Sequence, residues 1–250
     1  AGMAGGIYRS TNAGKFWEEV RGGVTIDAVA INPVDDRIVY AGVYKSTDGG
    51  DIWEKMSVIG RFGNTSDFAI DQKHPEVIYA VNGFNIFKST DSGEMWEQIP
   101  IGIRCQVAID PVQTDTVYAS GRDGVCKSTD AGETWQLMDR GLPKGPFVTA
   151  RPVLIDLVDH RTVYVGVNGD IGIDGLGVFF SENGGERWEQ LGKGFPIGAV
   201  CYDLAINPSD PDILYAATVS GLWSLELEPR EPHSVQPFGI LATTWGSVKD

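Results

Sequence analysis

The chain has 250 residues, of which 42% are hydrophobic and 10% aromatic, so it can bury the core of one large domain or of two ordinary ones. Its formal net charge of −14 argues against nucleic acid or an anionic membrane surface as the main partner. No apolar run approaches the roughly 18 residues that a membrane-spanning helix needs, so we expect no membrane span.

The predicted elements are short β-strands that recur in pairs after an opening stretch, 7–20, which holds two strands of its own. In each pair the first run carries Ile-Asp or Ile-Asn near its end, and the second has Tyr as its third residue. The pairs are 28–33 with 38–41, 67–71 with 77–80, 107–111 with 116–119, 153–156 with 162–165, and 203–208 with 213–216. Short β-branched runs bounded by turn residues favour strands over helices.

A turn motif, Ser-x-Asp/Asn-x-Gly-x-x-Trp, occurs five times. Its Asp or Asn is suited to accept hydrogen bonds from backbone N–H groups of its own turn, and its Gly to supply the positive φ that the turn needs. Its Trp is expected to bury a large apolar surface against the next strand. The motif residues are Ser10, Asn12, Gly14, Trp17, Ser46, Asp48, Gly50, Trp53, Ser89, Asp91, Gly93, Trp96, Ser128, Asp130, Gly132, Trp135, Ser181, Asn183, Gly185 and Trp188.

One repeating unit therefore has four strands, A to D: the two paired runs, a strand that leads into the motif, and a strand that follows the motif Trp. Successive motif Trp residues are 36, 43, 39 and 53 positions apart, and a four-stranded propeller blade takes ~40–45 residues. The sequence predicts an all-β fold, a single β-propeller of four-stranded antiparallel blades.

Closure of the ring has two interpretations. In the first there are five blades, and the strands of 7–20 complete the last blade, which protects exposed strand edges. Residues 1–227 are then the propeller, and 228–250 are a Pro-rich linker with a strand-like tail. The alternative has six blades, with 240–246 as the last D strand.

The motif is the one known as the Asp-box (BNR-type) repeat, and over roughly residues 5–226 the chain resembles the Asp-box β-propeller superfamily. Members of that superfamily include bacterial sialidases, xyloglucan-cleaving endoglucanases, sortilin receptors and photosystem II assembly factors. The resemblance implies a propeller in which the motif is a structural turn far from the working face. It leaves the activity open.

A ligand site is expected at the end of the strands opposite the motif turns. The D–A and B–C loops share that end, and ligand sites favour loops on a rigid scaffold. Two of these loops, 139–151 and 167–177, are long, although a tolerated insertion is the alternative explanation. The candidate ligand-binding residues, whose aromatic members we expect to be exposed, are Arg61, Phe62, Arg104, Arg122, Arg151, Asn168 and Phe195.

The gathering of basic residues in these loops of an acidic chain favours a non-catalytic binding or scaffold propeller with a protein or carbohydrate partner. The alternative is a glycoside hydrolase that uses a pair of carboxylates, with Asp170 and Asp174 as candidates. Three further carboxylates, Asp27, Asp67 and Asp203, lie near the starts of A strands. Sialidase activity is disfavoured, because the chain lacks the Arg-Ile-Pro start of that family and its repeated tyrosines occupy a core position.

We expect no cofactor and no metal, because nucleotide-binding and zinc-protease motifs are absent and the three histidines are scattered. A calcium loop at 168–174 is the alternative, since its alternating oxygen ligands suit that ion. The three cysteines are expected to be buried thiols, with a Cys105–Cys126 disulfide left open.

The chain carries no signal peptide, and Met3 stands behind Ala1 and Gly2 as a start codon would stand behind a cloning remnant. This suggests that an upstream segment has been cut away, or that the chain is engineered. We expect a protein of secreted or periplasmic origin that is a monomer.

Overall fold

The computed structural model describes the chain at residues 1–56, 64–82, 85–102, 104–145, 148–169, 177–192, 195, 199–227 and 246–247, of which 3, 104, 105, 246 and 247 are described by their backbone alone. Within these residues the backbone forms 22 strands and no helix. The described residues thus contain no helix that could cross a membrane.

The strands, numbered in chain order, are β1 Gly2–Arg9, β2 Glu18–Thr25, β3 Val29–Ile31, β4 Val39–Ala41, β5 Tyr44–Ser46, β6 Glu54–Lys55, β7 Thr65–Ile70, β8 Ile78–Asn82, β9 Asn85–Ser89, β10 Glu97–Ile99, β11 Arg104–Ile109, β12 Val117–Gly121, β13 Gly124–Ser128, β14 Gln136–Met138, β15 Thr149–Ile155, β16 Val163–Asn168, β17 Gly177–Ser181, β18 Glu189–Gln190, β19 Cys201–Asn207, β20 Asp210–Thr218, β21 Gly221–Glu226 and β22 Gly246–Ser247.

The strands form one two-stranded sheet and five four-stranded sheets. β1 pairs with β2. The other sheets keep the order of the chain, and they are called the first to fifth sheets below: β3–β6, β7–β10, β11–β14, β15–β18 and β19–β22. Their strand pairs are antiparallel. The predicted all-β architecture with four-stranded antiparallel units is confirmed.

The fourth strand of the fifth sheet is β22, which pairs with β21 through Trp223↔Ser247 and Ser224↔Gly246. This pairing lies close to the segment that the six-blade interpretation uses. The number of blades, the closure of a ring and the domain boundary after residue 227 stay predictions.

The chain divides into two compact units, 1–117 with 129–134, and 118–128 with 135–250. The division falls inside the third sheet. Each unit has its own apolar core. The first is built from Tyr40, Met56, Ile78, Ala80, Phe87 and Trp96. The second includes Tyr164, Val178, Leu191, Cys201, Leu214 and Leu225.

The second strand of a sheet is its most buried part. All residues of β8, β12 and β16 are buried. Their sequences are short and rich in Val, Ile, Ala and Tyr, as expected for strands that are covered on both faces. The tyrosines Tyr40, Tyr79, Tyr118 and Tyr164 are at most 1% exposed, which confirms their predicted place in the core.

A buried Asp or Asn closes each connection between the first and second strands of the first four sheets. Asn32, Asp71, Asp110 and Asp156 accept backbone N–H groups from the residues two and three positions on. Burial raises the pKa of Asp71, but the hydrogen bonds from the N–H groups of Lys73 and His74 lower it. The net result is a pKa below the ordinary value. These carboxylates are turn-forming groups with their acceptor capacity in use.

The five motif copies form turns of one kind, called the repeat turns below: 10–17, 46–53, 89–96, 128–135 and 181–188. In the second, Ser46 Oγ accepts the Gly50 N–H (2.8 Å) and donates to Asp48 Oδ1 (2.8 Å), which also accepts the Ile52 N–H (2.9 Å). The same three bonds recur in the first, third and fifth repeat turns. The motif Gly has φ between 82° and 94° throughout, as predicted.

The residue before the motif Gly is also left-handed, and its backbone connects two sheets. At this position stand Ala13, Gly49, Ser92, Ala131 and Gly184, with φ from 55° to 80°. In the last four the N–H donates to the A–B turn of the same sheet. In three of these, the carbonyl accepts the tyrosine hydroxyl of the preceding sheet: Tyr40 to Ser92 (2.9 Å), Tyr79 to Ala131 (2.6 Å) and Tyr118 to Gly184 (3.2 Å).

A basic side chain one position before the motif Ser reinforces this connection. Lys88 Nζ donates to the carbonyl of Ala131 (2.7 Å) and Lys127 Nζ to that of Gly184 (3.3 Å). Arg9 donates to the carbonyl of Gly49 (3.3 Å). The sequence predicted that the tyrosines are buried, but it did not predict that their hydroxyls and the basic side chains donate to the same carbonyl. That carbonyl lies in the repeat turn of the next sheet, about one repeating unit further along the chain.

The fourth sheet ends this pattern. Phe180 replaces the basic residue, and the fifth sheet carries no repeat turn. Tyr164 donates instead to Asp156 Oδ2 of its own sheet (3.2 Å). Where no repeat turn follows, the sequence no longer supplies the basic donor.

The motif Trp residues are not all buried. Trp53, Trp96 and Trp188 are 9%, 8% and 2% exposed, as expected. Trp135 is half-buried. The expectation is wrong for Trp17, which is 45% exposed, because no preceding sheet in the described chain covers it.

Candidate functional site

A cavity of about 210 Å³ lies at the loop end of the second unit. It is lined by the B–C turn 122–124 between β12 and β13, by 139–145 of the D–A loop after β14, and by ends of β15 and β16. These connections lie at the end of the strands opposite the repeat turns. This end is where the sequence places the ligand.

The polar wall of the cavity has two cations in different states. Lys144 Nζ lies 2.8 Å from Asp139 Oδ2, so its charge is balanced by an ion pair at the rim. Arg122 is exposed, and the part of the chain that the structure describes offers it no ion pair or side-chain hydrogen bond. Its five N–H donors are available to a ligand. Asp123 adds a carboxylate beside it.

The remaining wall is apolar. Leu142, Val148, Ala150 and Val167 line the cavity and are at most 7% exposed. A ligand group that enters would meet aliphatic side chains on one side and hydrogen-bonding groups on the other. Such a division of apolar and polar walls is typical of binding pockets.

Two close approaches hold the lining loops in place. Gly124 has φ 105°, and a Cβ there would stand 3.3 Å from Asp139 Cβ, so glycine allows the B–C turn to reach the D–A loop. A Cβ on Gly141 would clash with the backbone of Trp188, whose N–H donates to the Arg140 carbonyl (2.9 Å). The loop base is thus packed against the fourth sheet, and the cavity is preformed.

The size of the cavity limits what it can hold. Pockets for drug-sized ligands are roughly 300–1,000 Å³, so 210 Å³ suits one side chain or one ring of a larger partner. The rest of such a partner would lie on the neighbouring surface. This arrangement can bind and orient a group.

Of the predicted ligand-binding residues whose side chains the structure describes, only Arg122 lines the cavity. Arg151 is exposed and lies on β15 outside the lining. Asn168 is 7% exposed, and its amide is already engaged: it donates to the carbonyls of Arg151 (2.9 Å) and Cys201 (3.0 Å) and accepts the Cys201 N–H (2.6 Å). The structure uses this side chain to join β15, β16 and β19.

The expected exposure of Phe195 is wrong. Phe195 is 9% exposed and packs in the core of the second unit with Leu191, Ala199 and Cys201. Sequence reasoning took an aromatic residue in a Gly- and Pro-rich loop for a surface residue. The ring of Phe195 instead lies in the apolar core, to which it adds buried surface.

Several predicted site residues cannot be placed. The candidates Arg61, Phe62, Asp170 and Asp174 lie outside the described residues, and Arg104 is described by its backbone alone. Their predicted roles in ligand binding or catalysis stay predictions. The same holds for the calcium loop alternative and for a disulfide that involves Cys105.

The other carboxylates considered for catalysis have partners. Asp27 Oδ2 accepts from Asn64 Nδ2 (2.7 Å), and Asp67 Oδ2 accepts the Val107 N–H (2.9 Å). Burial raises the pKa of Asp203, and its Oδ1 accepts the Leu204 N–H. Each is tied to a different segment. Within the described residues, no group of three His, Cys, Asp or Glu side chains is arranged to hold a metal ion.

Most of the lining comes from the two loops that the sequence predicted from their length: Asp139, Lys144, Val148 and Ala150 fall in 139–151, and Val167 falls in 167–177. The sequence did not indicate which of these residues face a cavity, and the structure places Ala150 and Val167 at the ends of β15 and β16. A signal was present: the loop that follows β14 combines Pro, Gly and Lys between two apolar runs. Only the packing of two loops against one another shows that these strand ends border a cavity.

No protein-family model matches the chain, and no curated protein matches it. Its fold does match solved structures. The chain is similar to an ancestral GH74 enzyme, with a TM-score of 0.78, 18% identity and 98% of this chain covered. It spans only 36% of the length of that enzyme.

Two further structures share the fold. The GH74 xyloglucanase from Xanthomonas campestris aligns with a TM-score of 0.66 and 17% identity, over 88% of this chain and 38% of its own. The β-propeller domain of Cps50 (Swd1) from Myceliophteria thermophila aligns with a TM-score of 0.57 and 8% identity, over 87% of this chain and 70% of its own. At such identities the likeness concerns the fold alone, and that fold is the β-propeller.

Proposed function

We propose that the chain is a binding or scaffold propeller of the Asp-box superfamily that holds a protein or carbohydrate partner at its loop end. The observation that carries this proposal is the cavity beside Arg122, whose guanidinium has no partner among the described residues, with buried aliphatic side chains on the opposite wall. A hydrolytic mechanism would need two carboxyl groups across the ligand. The polar wall offers one carboxylate in an ion pair with Lys144 and another next to Arg122.

The other end of the strands supports this assignment by contrast. There the Ser, Asp and Asn side chains of the repeat turns hydrogen-bond within their own turn. The carbonyls of the left-handed residues accept hydrogen bonds from side chains of the preceding sheet. Groups that are already hydrogen-bonded within the fold are poor ligand-binding groups. Among the described residues, the exposed guanidinium of Arg122 at the loop end is the cavity cation that remains available to a partner, which agrees with the working face that the Asp-box resemblance implies.

A glycan array read with three proteins tests the proposal. Arg122→Ala removes the exposed cation of the cavity wall, and Arg187→Ala removes an exposed arginine in a repeat turn of the same unit. We expect wild-type binding that Arg122→Ala weakens about tenfold, which corresponds to about 1.4 kcal/mol, and that Arg187→Ala leaves within about twofold. Binding that is unchanged in Arg122→Ala would show that the ligand does not bind at this cavity. If the array is silent, the same pair of variants is compared in pull-downs with protein partners.

The alternative function is glycoside hydrolysis, and the shared fold with two GH74 enzymes favours it. Its candidate carboxylates are Asp170 and Asp174. Hydrolysis of a polysaccharide that is lost in both Asp170→Ala and Asp174→Ala would establish it. A secreted or periplasmic origin fits either function, and export of the native protein in its source cell would check it.

A further inference from the structure

The residues on either side of the motif Trp are exposed and follow a pattern of their own. In the first three repeat turns an apolar residue precedes the Trp and a glutamate follows it, so each turn carries an apolar-Trp-Glu sequence: 16–18, 52–54 and 95–97. Phe16, Ile52 and Met95 are 69%, 66% and 69% exposed. Single exposed apolar side chains are ordinary on protein surfaces. Here, however, one recurs at the same position in three consecutive turns.

The turn itself does not require this pattern. In the fourth repeat turn, Thr134 stands before the Trp and Gln136 after it. In the fifth, Arg187 Nε lies 3.4 Å from Glu189 Oε1, so the charges on the two sides of the Trp balance one another. The same turn therefore forms with polar side chains at both positions, and folding of the turn does not explain the exposed apolar ones.

The first three repeat turns belong to the first unit, and ion pairs connect each turn to the next. Arg9, at the end of β1, pairs with Asp51 of the second turn (2.6 Å). Lys45 of β5 pairs with Glu94 of the third turn (2.6 Å). Consecutive turns thus lie side by side. Their exposed residues form one surface, called the flanking surface below: Phe16, Glu18, Ile52, Glu54, Met95 and Glu97.

The flanking surface is acidic, because the ion pairs around it expose their negative partner. The side chain of Lys45 is 13% exposed and that of Glu94 is 70% exposed, and the pair between the first and second turns differs in the same direction. Glu54 and Glu97 are exposed and make no ion pair in the described part of the chain. Apolar side chains therefore stand between exposed carboxylates, while the neighbouring cations are largely covered.

We propose that the flanking surface docks a basic segment of a partner protein, in which lysine or arginine side chains alternate with apolar ones. The carboxylates attract the cations of such a segment, and the net charge of −14 adds a long-range attraction. The apolar side chains of the segment cover Phe16, Ile52 and Met95 and remove their surface from water. A nucleic acid would be repelled by the carboxylates, and a neutral sugar would gain nothing from them. The complementary occupant is therefore a basic protein segment.

Fluorescence anisotropy with three labelled peptides of equal length tests the proposal. The first peptide alternates Lys and Leu, the second Lys and Ser, and the third Glu and Leu. We expect the Lys-Leu peptide to bind the wild type, the Lys-Ser peptide to bind about tenfold more weakly because it lacks the apolar contacts, and the Glu-Leu peptide not to bind. Binding of the Lys-Leu peptide should weaken as salt is added, because salt screens exposed charges.

Two double variants compare exposed apolar residues inside and outside the flanking surface. Ile52→Ser with Met95→Ser should weaken binding of the Lys-Leu peptide about tenfold. Leu157→Ser with Val158→Ser changes two residues of the second unit that are 46% and 57% exposed, and it should leave binding within about twofold of the wild type. Circular dichroism of each variant verifies that it is folded.

Two further double variants compare the charges. Glu54→Gln with Glu97→Gln removes two carboxylates of the flanking surface, and Glu189→Gln with Asp210→Asn removes two exposed carboxylates of the second unit. We expect the first variant to weaken binding of the Lys-Leu peptide and to reduce its salt dependence more than the second. Both variants change the net charge by the same amount, so the difference reports the position of the carboxylates.

A wild type that does not bind the Lys-Leu peptide would overturn the proposal. Equal binding of the Lys-Leu and Lys-Ser peptides would also overturn it, and so would equal losses in the two apolar variants or in the two charge variants. Each of these results would indicate only diffuse attraction of a cation to an acidic chain. None of the variants changes the cavity residue Arg122, so the proposed binding function at the loop end is tested separately.

Discussion

At the scale of single residues, the Asp and Asn side chains of the repeat turns do the same work with different charge. The N–H of Ile52 and the hydroxyl of Ser46 hold the pKa of Asp48 below its ordinary value, and the N–H of Met95 and the hydroxyl of Ser89 do so for Asp91. Asn12 and Asn183 accept equivalent bonds without a charge. The turn requires an acceptor oxygen, and ionisation adds a dependence on pH.

The variant Asp48→Asn separates these two contributions. A carboxyl whose pKa is lowered by folding contributes stability that is present above its unfolded pKa of about 4 and is lost as the pH falls through the folded pKa. We expect Asp48→Asn to keep the turn at neutral pH, with slightly lower stability, and to flatten the fall of Tm below about pH 5. Thermal unfolding between about pH 7 and pH 3 measures this.

Asp36→Asn is the matched control, because Asp36 is an exposed aspartate outside the repeat turns. It should leave the pH dependence of Tm as in the wild type. If Asp48→Asn shows the wild-type pH dependence too, the carboxylate does not stabilise the turn through its charge.

The tyrosines between sheets predict an alkaline effect. Burial, together with the charge of Glu94, raises the pKa of Tyr40 to about 12, and the hydroxyl donates to the Ser92 carbonyl. An acid whose pKa is raised by folding loses stability as the pH rises from the unfolded pKa, about 10, toward the folded one. We expect Tyr40→Phe to lower the free energy of unfolding by about 1 kcal/mol at neutral pH. Above about pH 10, the free energy of unfolding of this variant should fall less steeply with pH than that of the wild type.

Denaturant unfolding at neutral and alkaline pH checks this prediction. Tyr202→Phe is its control, because Tyr202 is 60% exposed and makes no such contact among the described residues. Equal stability of Tyr40→Phe and the wild type at both pH values would show that the hydroxyl contact contributes nothing.

At the scale of elements, the left-handed residue of the second to fifth repeat turns connects neighbouring sheets through its backbone. Gly49 and Gly184 occupy the same place in two turns but have different surroundings. A Cβ at Gly49 meets nothing within 4 Å, whereas one at Gly184 would meet Lys127 Nζ at 2.7 Å and Tyr118 Oη at 3.3 Å. Only the second substitution would displace the donors of the preceding sheet.

The pair Gly49→Ala and Gly184→Ala should therefore differ in stability. Alanine in a left-handed conformation costs about 1–2 kcal/mol, offset by about 0.4–1 kcal/mol from the stiffer unfolded chain. We expect Gly49→Ala to lose about 1 kcal/mol or less, since Ala13 and Ala131 already tolerate this φ. Gly184→Ala should lose more, because it also weakens the bonds of Lys127 and Tyr118. Chemical denaturation of both variants measures the difference in the free energy of unfolding. Equal losses in the two variants would contradict the claim that the backbone at Gly184 connects two sheets.

Much of this element-scale structure could be predicted from the sequence. The motif positions indicated the acceptor at Asp48 and the positive φ at Gly50, because both properties are local. The contacts of Tyr79 and Lys88 with Ala131 could not be predicted in the same way. They depend on how one sheet packs on a turn 43 or more residues away, which a local pattern does not encode.

At the scale of the whole molecule, the two ends of the strands differ in what their polar groups do. In the repeat turns, the polar side chains are hydrogen-bonded within the fold. At the loop end, Arg122 has no partner in the described chain. Loop length pointed to 139–151 in advance. Loop length did not predict which side chains are buried. Phe195 packs in the apolar core, and Asn168 is buried because its amide hydrogen-bonds to the backbone of a neighbouring strand.

The central claim is that the loop end binds without turnover. Release of reducing ends from xyloglucan and related polysaccharides by the purified wild-type protein tests this claim most directly. The account predicts release equal to that of a protein-free blank at every protein concentration. Release that grows with protein concentration and disappears in both Asp170→Ala and Asp174→Ala would contradict the account and identify the chain as a glycoside hydrolase.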